Sequence, residues 1–371
     1  MVAQRFVAHN VAVGRKGNTA IEDEVRARIR TEVARELFAE QYGRPAADER
    51  ELSGFIARGS RQSTTAVAGY DLTFSPVKSV STLWAVAPRE VSEKIEAAHR
   101  AAVADVIGWL QTHAAYTRLG AHGVRQVETH GLMGAAFTHR DSRAGDPDLH
   151  THVAISNKVQ TTDTDGTRRW LALDGRTIHK TAVAASERYN TRLEAQLVDR
   201  LGVSFAARAG SDCSKRAVRE IVGVEEKLSR VWSARRASIE VRRGQLAAIF
   251  QAAHGRTPSA VESLALAQQA TLETREAKHA PRSHAEQRQQ WRHRAVTVLG
   301  GDEHLAAMIH AAVPAVKPQP RTTVDEQWIS QTAAAVVTTV SQSRATWQPD
   351  HIRAEAERAA RSAGVGLERV C

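Results

Sequence analysis

His139-Arg140-Asp141-Ser142-Arg143-Ala144-Gly145-Asp146-Pro147-Asp148-Leu149-His150-Thr151-His152-Val153-Ala154-Ile155-Ser156-Asn157 is the stretch that decides the fold. Val153, Ile155 and Val159 favour a strand, because β-branched side chains pack well on a pleated surface. Alternate residues of a strand share a face, so His150 and His152 point the same way. Residues 132–138 read as a second strand ending at His139. The segment 141–147 between them is rich in turn formers. A hairpin closed there sets His139 beside the His150/His152 pair. Three neutral imidazoles then converge, a donor set suited to a divalent cation with positions left open for substrate. With 16 histidines in 371 residues, roughly 0.7 such H-x-H pairs are expected by chance. The pair alone therefore decides little, and the third histidine in a hairpin carries the reading.

The pattern His139-x-x-Ser142-Arg143-x-x-Asp146-Pro147-x-Leu149-His150-Thr151-His152, with Asn157 following, resembles the histidine motif of TrwC-like (MobF-type) conjugative relaxases, members of the HUH endonucleases. A second stretch, Gly69-Tyr70-Asp71-Leu72-Thr73-Phe74-Ser75-Pro76-Val77-Lys78-Ser79-Val80-Ser81, resembles the family's strand-and-loop motif with its acidic residue. The resemblance covers roughly residues 67–300 and thins on either side.

The resemblance implies cleavage of one strand of plasmid transfer-origin DNA by transesterification, with a tyrosine hydroxyl attacking a phosphodiester. It implies a divalent metal (Mg²⁺, Mn²⁺ or Zn²⁺) held by His139, His150 and His152. Asp71 stands where the family carries its acidic residue, able to take the nucleophile's proton or to orient a histidine ligand. Lys78 is a candidate for a DNA phosphate or a partner of Asp71. Arg143 and Asp146 read as pins of the hairpin, and Arg143 also joins Asn157, Arg235 and Arg242 as a candidate DNA contact. His122 and His130 read as ordinary surface or core histidines.

Composition agrees with a polyanionic partner. Lys plus Arg is 51 against 41 for Asp plus Glu, a formal net charge of +10, which favours nucleic acid first and an anionic membrane second. The expected partners are single-stranded or hairpin DNA at a transfer origin and accessory relaxosome proteins, without membrane insertion. Cys213 and Cys371 fit no metal or redox spacing, so a reducing cytoplasm is expected.

Along the chain, residues 1–20 show no strong period and are expected to be poorly ordered. Val25, Ile29, Val33 and Leu37 predict a helix stopped by Gly43, with a shorter one over 48–58. Strands are predicted over 67–74, 124–128, 132–139 and 168–173, and helices after Pro88 and over 182–201. One long helix is predicted over 224–250, another from Pro258 to about 278, and a third over 283–299. Pro314, Pro318 and Pro320 mark a linker, and the tail reads as two helices anchored by Trp328 and Trp347. The fold class is α+β: an antiparallel-sheet HUH relaxase core flanked by helices, then an all-helical C-terminal region. The domain reading is a helical N-terminal segment over 1–66, the HUH core over 67–202, DNA-clasping helices over 203–300, and a linker with helical tail over 301–371.

The chain has four tyrosines, Tyr42, Tyr70, Tyr116 and Tyr189, and none stands in the family's N-terminal tyrosine context. The expectation is an N-terminally truncated relaxase with impaired cleavage. No G-x-x-x-x-G-K-[ST] occurs, so no ATP-driven helicase is expected here. Two alternatives compete: a non-catalytic DNA-binding module, and an unrelated three-histidine metalloenzyme. The second lacks the expected carboxylate soon after H-x-H, and H-E-x-x-H is absent too.

Overall fold

The computed structural model describes residues 2–60, 66–163, 165–208, 216–277, 280, 282–315 and 324–365. The chain divides into two compact units, Met1–Val67 and Ala68–Cys371.

The first unit is helical: α1 (Val2–Ala12), α2 (Asp23–Tyr42) and α3 (Glu49–Ser60). Gly43 caps α2 in the left-handed conformation, as its position predicts. Phe38 is buried against Leu52, with Tyr42 and Phe55 around it. The expectation of disorder before residue 20 is corrected by α1. Its ties to α2 are an Arg5–Glu36 ion pair at 2.9 Å and Arg26 over the Phe6 ring, contacts that a search for apolar period does not register.

The second unit opens with β1 (Gly69–Phe74), α4 (Lys78–Val86) and α5 (Arg89–His113), then β2 (Tyr116–Leu119) and β3 (Arg125–Glu128). The motif hairpin is β4 (Gly134–Asp141) and β5 (Pro147–Ser156), followed by β6 (Lys158–Thr162), β7 (Arg168–Ala172) and the long α6 (Gly175–Leu201). The main sheet is antiparallel in the order β1-β5-β4. Asp71 pairs with Ala154, Thr73 with His152, Phe137 with His152, and His139 with His150. β5 alternates in burial: Leu149, Thr151, Val153 and Ile155 face the core, and His150 and His152 face the open side. The helices α4, α5 and α6 cover the core side with Val80, Leu83, Trp84, Ile95, Val106 and Leu197, all shielded from solvent. Burying side chains of this kind stabilises by about 1.5–3 kcal/mol each.

The rest is β8 (Phe205–Ala207), β9 (Arg219–Ile221), α7 (Glu226–Val231), α8 (Ala234–His254), α9 (Ala260–Glu273), α10 (His284–Leu299), α11 (Asp302–Ala312), α12 (Glu326–Ser343) and α13 (Pro349–Ser362). The architecture is the expected α+β mixture, with three corrections of detail. The β8–β9 hairpin interrupts the region read as all-helical, because strands of three residues are too short to show a period. The single helix expected over 224–250 breaks between α7 and α8, where Trp232 is fully buried and takes the chain into the core. Trp347, read as an anchor of the tail, is exposed rather than buried in a core. Instead α13 docks on α6 through ions: Arg358 and Arg361 hold Glu187 at 2.6 and 2.7 Å, and Arg188 reaches Glu357.

Candidate metal centre and nucleic-acid cleft

The hairpin geometry follows from pairing and turn. A register shift between His139 and Asp141 bends β4 at its end. In the connection, Gly145 adopts φ +76°, and a side chain there would press on the Arg282 guanidinium. The loop is clamped from outside. Asp141 accepts from Arg282 and Gln287, Trp291 donates to the Gly145 carbonyl, and Arg294 reaches Asp146 at 2.8 Å. Asp146 is 1% exposed and also accepts from the Ala234 backbone at the start of α8. Its carboxylate therefore pins the hairpin, as the sequence suggests, but to distant helices.

On the open face, the imidazoles of His139, His150 and His152 lie with ring centroids 5.1, 5.2 and 5.2 Å apart. Their ligand atoms all lie within 4.8 Å of one another. Behind them, His152 Nδ1 is 2.8 and 2.9 Å from the two oxygens of Asp71, and 3.2 Å from Thr73 Oγ1. His150 Nδ1 donates to the Asp148 carbonyl at 2.7 Å. Each of these bonds favours the tautomer that carries its lone pair on Nε2. The donor set thus fits a divalent cation: three imidazoles, two of them fixed from behind, on one side of a paired strand.

The other predicted residues divide. Asp71 shares the histidine face. Lys78 donates to the Pro147 carbonyl at 2.9 Å and meets Asp148 at 3.6 Å, so the carboxylate it meets is Asp148 rather than Asp71. Arg143 donates to the Glu276 carbonyl. Asn157 bonds through its backbone to Ala68 and Leu173 where β5 passes into β6. Arg242 is paired with Glu273 at 2.6 Å. Arg235 lines a cleft of about 1120 Å³ that runs along β1, with Lys78, Asp148 and Asn190 among its walls.

Sequence reasoning missed Thr73 and Phe137. Phe137 is 55% exposed, two residues before His139 and directly across from His152. Period-2 alternation from His139 marks both residues as belonging to this face, once the pairing is known. Tyr70 turns to the opposite side, where its hydroxyl closes on Gly175 and a side chain at that position would collide with it. Tyr189 is buried against His99 and Phe74. Tyr116 belongs to the separate β2–β3 hairpin, and Tyr42 to the first unit.

Comparison with known proteins places this geometry. The family model described as TrwC relaxase matches residues 4–298, which extends the motif resemblance through most of the first unit. The multifunctional conjugation protein TraI of Escherichia coli is 40% identical over 93 residues, 25% of this chain and 5% of that protein. TraI of E. coli strain K12 is 38% identical over the same length. The chain thus aligns with only a small part of these curated relatives. Among solved structures, the conjugative relaxase TrwC in complex with oriT DNA, metal-free, is 28% identical with a TM-score of 0.51, covering 71% of this chain and 89% of that one. Its copper-bound form gives the same identity and TM-score, covering 71% and 86%.

Proposed function

Because the chain belongs to the TrwC relaxase family, we propose that it is the DNA-nicking domain of a conjugative relaxase, directed at one strand and one site of transfer-origin DNA. The observation that carries this reading is the His139–His150–His152 cluster with Asp71 behind His152. When bound, a divalent cation (Mg²⁺, Mn²⁺ or Zn²⁺) supplies Lewis-acid polarisation of the scissile phosphate. Asp71 holds the His152 ring in place and fixes its tautomer, and the Asp148 carbonyl does the same for His150. Phe137 offers an exposed ring on which a base beside the scissile phosphate stacks. Arg235, Lys78, Arg143, Asn157 and Arg242 are the proposed DNA contacts, with Arg235 and Lys78 foremost because they line the cleft.

In this reading residues 67–202 are the catalytic core and 203–300 clasp the DNA; the linker expected around Pro318 and Pro320 lies outside the described residues. Accessory relaxosome proteins and a cytoplasmic setting belong to the same proposal. Among the described residues no helix is long and apolar enough to cross a membrane.

Transesterification also needs a hydroxyl in line within about 3–3.5 Å of phosphorus. Tyr70, Tyr116 and Tyr189 all lie off the histidine face. This favours a second reading, a binder of single-stranded or hairpin DNA without chemistry. The test is to incubate the protein with labelled single-stranded transfer-origin DNA and Mn²⁺, then resolve it on a denaturing gel. Protein-linked DNA formed only with the metal is the result the nicking reading expects, and DNA binding without it supports the second reading. An adduct lost in Tyr42→Phe or Tyr70→Phe identifies the nucleophile and supports nicking. Absence of both DNA binding and adduct overturns both readings.

A further inference from the structure

On the core side of the sheet, beneath the histidine cluster, lies a row of polar groups that the proposed chemistry does not use. Thr151 stands between His150 and His152 and, by alternation, faces inward. Its Oγ1 is 2.7 Å from His99 Nε2 and 2.9 Å from Thr138 Oγ1. On the other side of the ring, His99 Nδ1 is 2.8 Å from the Tyr189 hydroxyl. Thr138 pairs directly with Thr151 and immediately precedes His139. The row therefore runs from α6 through α5 to both strands of the hairpin, and it meets each strand next to a histidine of the cluster.

The protonation states are consistent with a continuous row. His99 is 1% exposed. Burial pulls its pKa down to about 4, with a further push from His150, so the ring is neutral at pH 7. Burial also keeps Tyr189 protonated. A neutral imidazole donates from one nitrogen and accepts at the other. Placed between two hydroxyls, it makes a chain in which every group is satisfied in one direction.

We propose that His99 is a positioning residue for the metal centre: by fixing the Thr151–Thr138 pair from beneath, it holds His150 and His152 in the register that faces His139. The inference rests on the reading of the three histidines as metal ligands. Groups that bond a ligand directly typically change metal affinity by about 10- to 100-fold. His99 acts through Thr151, one step further back, so about 3- to 10-fold is expected.

The experiment titrates the metal-free full chain with Co²⁺, reading both affinity and the ligand-field absorption of the bound ion. His99→Phe keeps the ring volume and removes both hydrogen bonds. Thr151→Val removes the hydroxyl and keeps the shape. His99→Gln restores a donor toward Thr151. The expected result is a 3- to 10-fold loss of affinity with an altered spectrum in the first two, and recovery of most of both in the third. If His99→Phe proves unfolded by circular dichroism, Thr151→Val decides. Wild-type affinity and spectrum in a folded His99→Phe or Thr151→Val chain overturn the proposal. Undiminished Co²⁺ binding by His150→Ala shows instead that the metal reading has failed, and the proposal falls with it.

Discussion

Replacing Asp71 tests whether the carboxylate behind His152 tunes a metal ligand. It is an acceptor for His152 Nδ1 at 2.8 and 2.9 Å. Its side chain is 58% exposed, so its removal opens no cavity and changes folding stability by less than about 0.5 kcal/mol. Loss of such a partner costs about 10- to 100-fold in metal affinity. Two features of the site place the expected loss at the low end. The carboxylate is well solvated, and Thr73 Oγ1, 3.2 Å from the same nitrogen, remains as a substitute acceptor. Asp71→Ala should therefore weaken Mn²⁺ or Zn²⁺ binding about tenfold, or about 1.4 kcal/mol. Asp71→Asn keeps an amide oxygen as acceptor but loses the charge, and should cost about threefold. Isothermal titration of the metal-free chain measures both, with thermal melting as the control for folding. Wild-type affinity in Asp71→Ala would refute the reasoning, and so would a loss that merely follows unfolding.

Two further outcomes follow from charge and burial. DNA affinity should fall more than about a hundredfold between about 50 and about 200 mM salt, because bound phosphates release counterions. Arg235→Ala should flatten that slope more than Arg242→Ala, since Arg242 is engaged with Glu273; equal effects, or a flat slope in the wild type, count against a cleft-centred DNA site. The buried His99, at about 4 against an ordinary 6.5, makes the metal-free chain acid-sensitive. The unfolded chain binds the extra proton between these values. Stability is therefore full above about pH 6.5 and is lost as pH falls towards about 4, by on the order of 2–3 kcal/mol. Urea unfolding across that range should show a shallower acid limb in His99→Gln, and identical limbs would show that His99 is not the group responsible.

What could be read from the sequence was what depends on local pattern. Alternation put His150 and His152 on one face, and the turn residues at 141–147 brought His139 across to them. The same alternation turned Tyr70 away from Asp71. What depends on packing between distant segments could not be read this way. Asp71 and His152 are 81 residues apart, and only motif resemblance singled out Asp71. The net charge of +10 points to a polyanion but does not say which arginines would meet it. Arg294 reaches Asp146, and Arg288 bonds the carbonyls of Trp84 and Ala87 at the end of α4. A charge count cannot separate such internal clamps from a binding surface. The docking of α13 on α6 was hidden for the same reason, since its partners are ions with no periodic signature.

The measurement that bears most directly on the central claim is metal stoichiometry. The metal-free chain and its His150→Ala/His152→Ala variant are each equilibrated with Mn²⁺ or Zn²⁺, freed of unbound ion, and analysed for metal per folded chain. The account predicts one ion per chain in the wild type and none in the double variant, with circular dichroism unchanged, because both side chains lie on the open face of β5 rather than in its core. Undiminished stoichiometry in a folded double variant would contradict it.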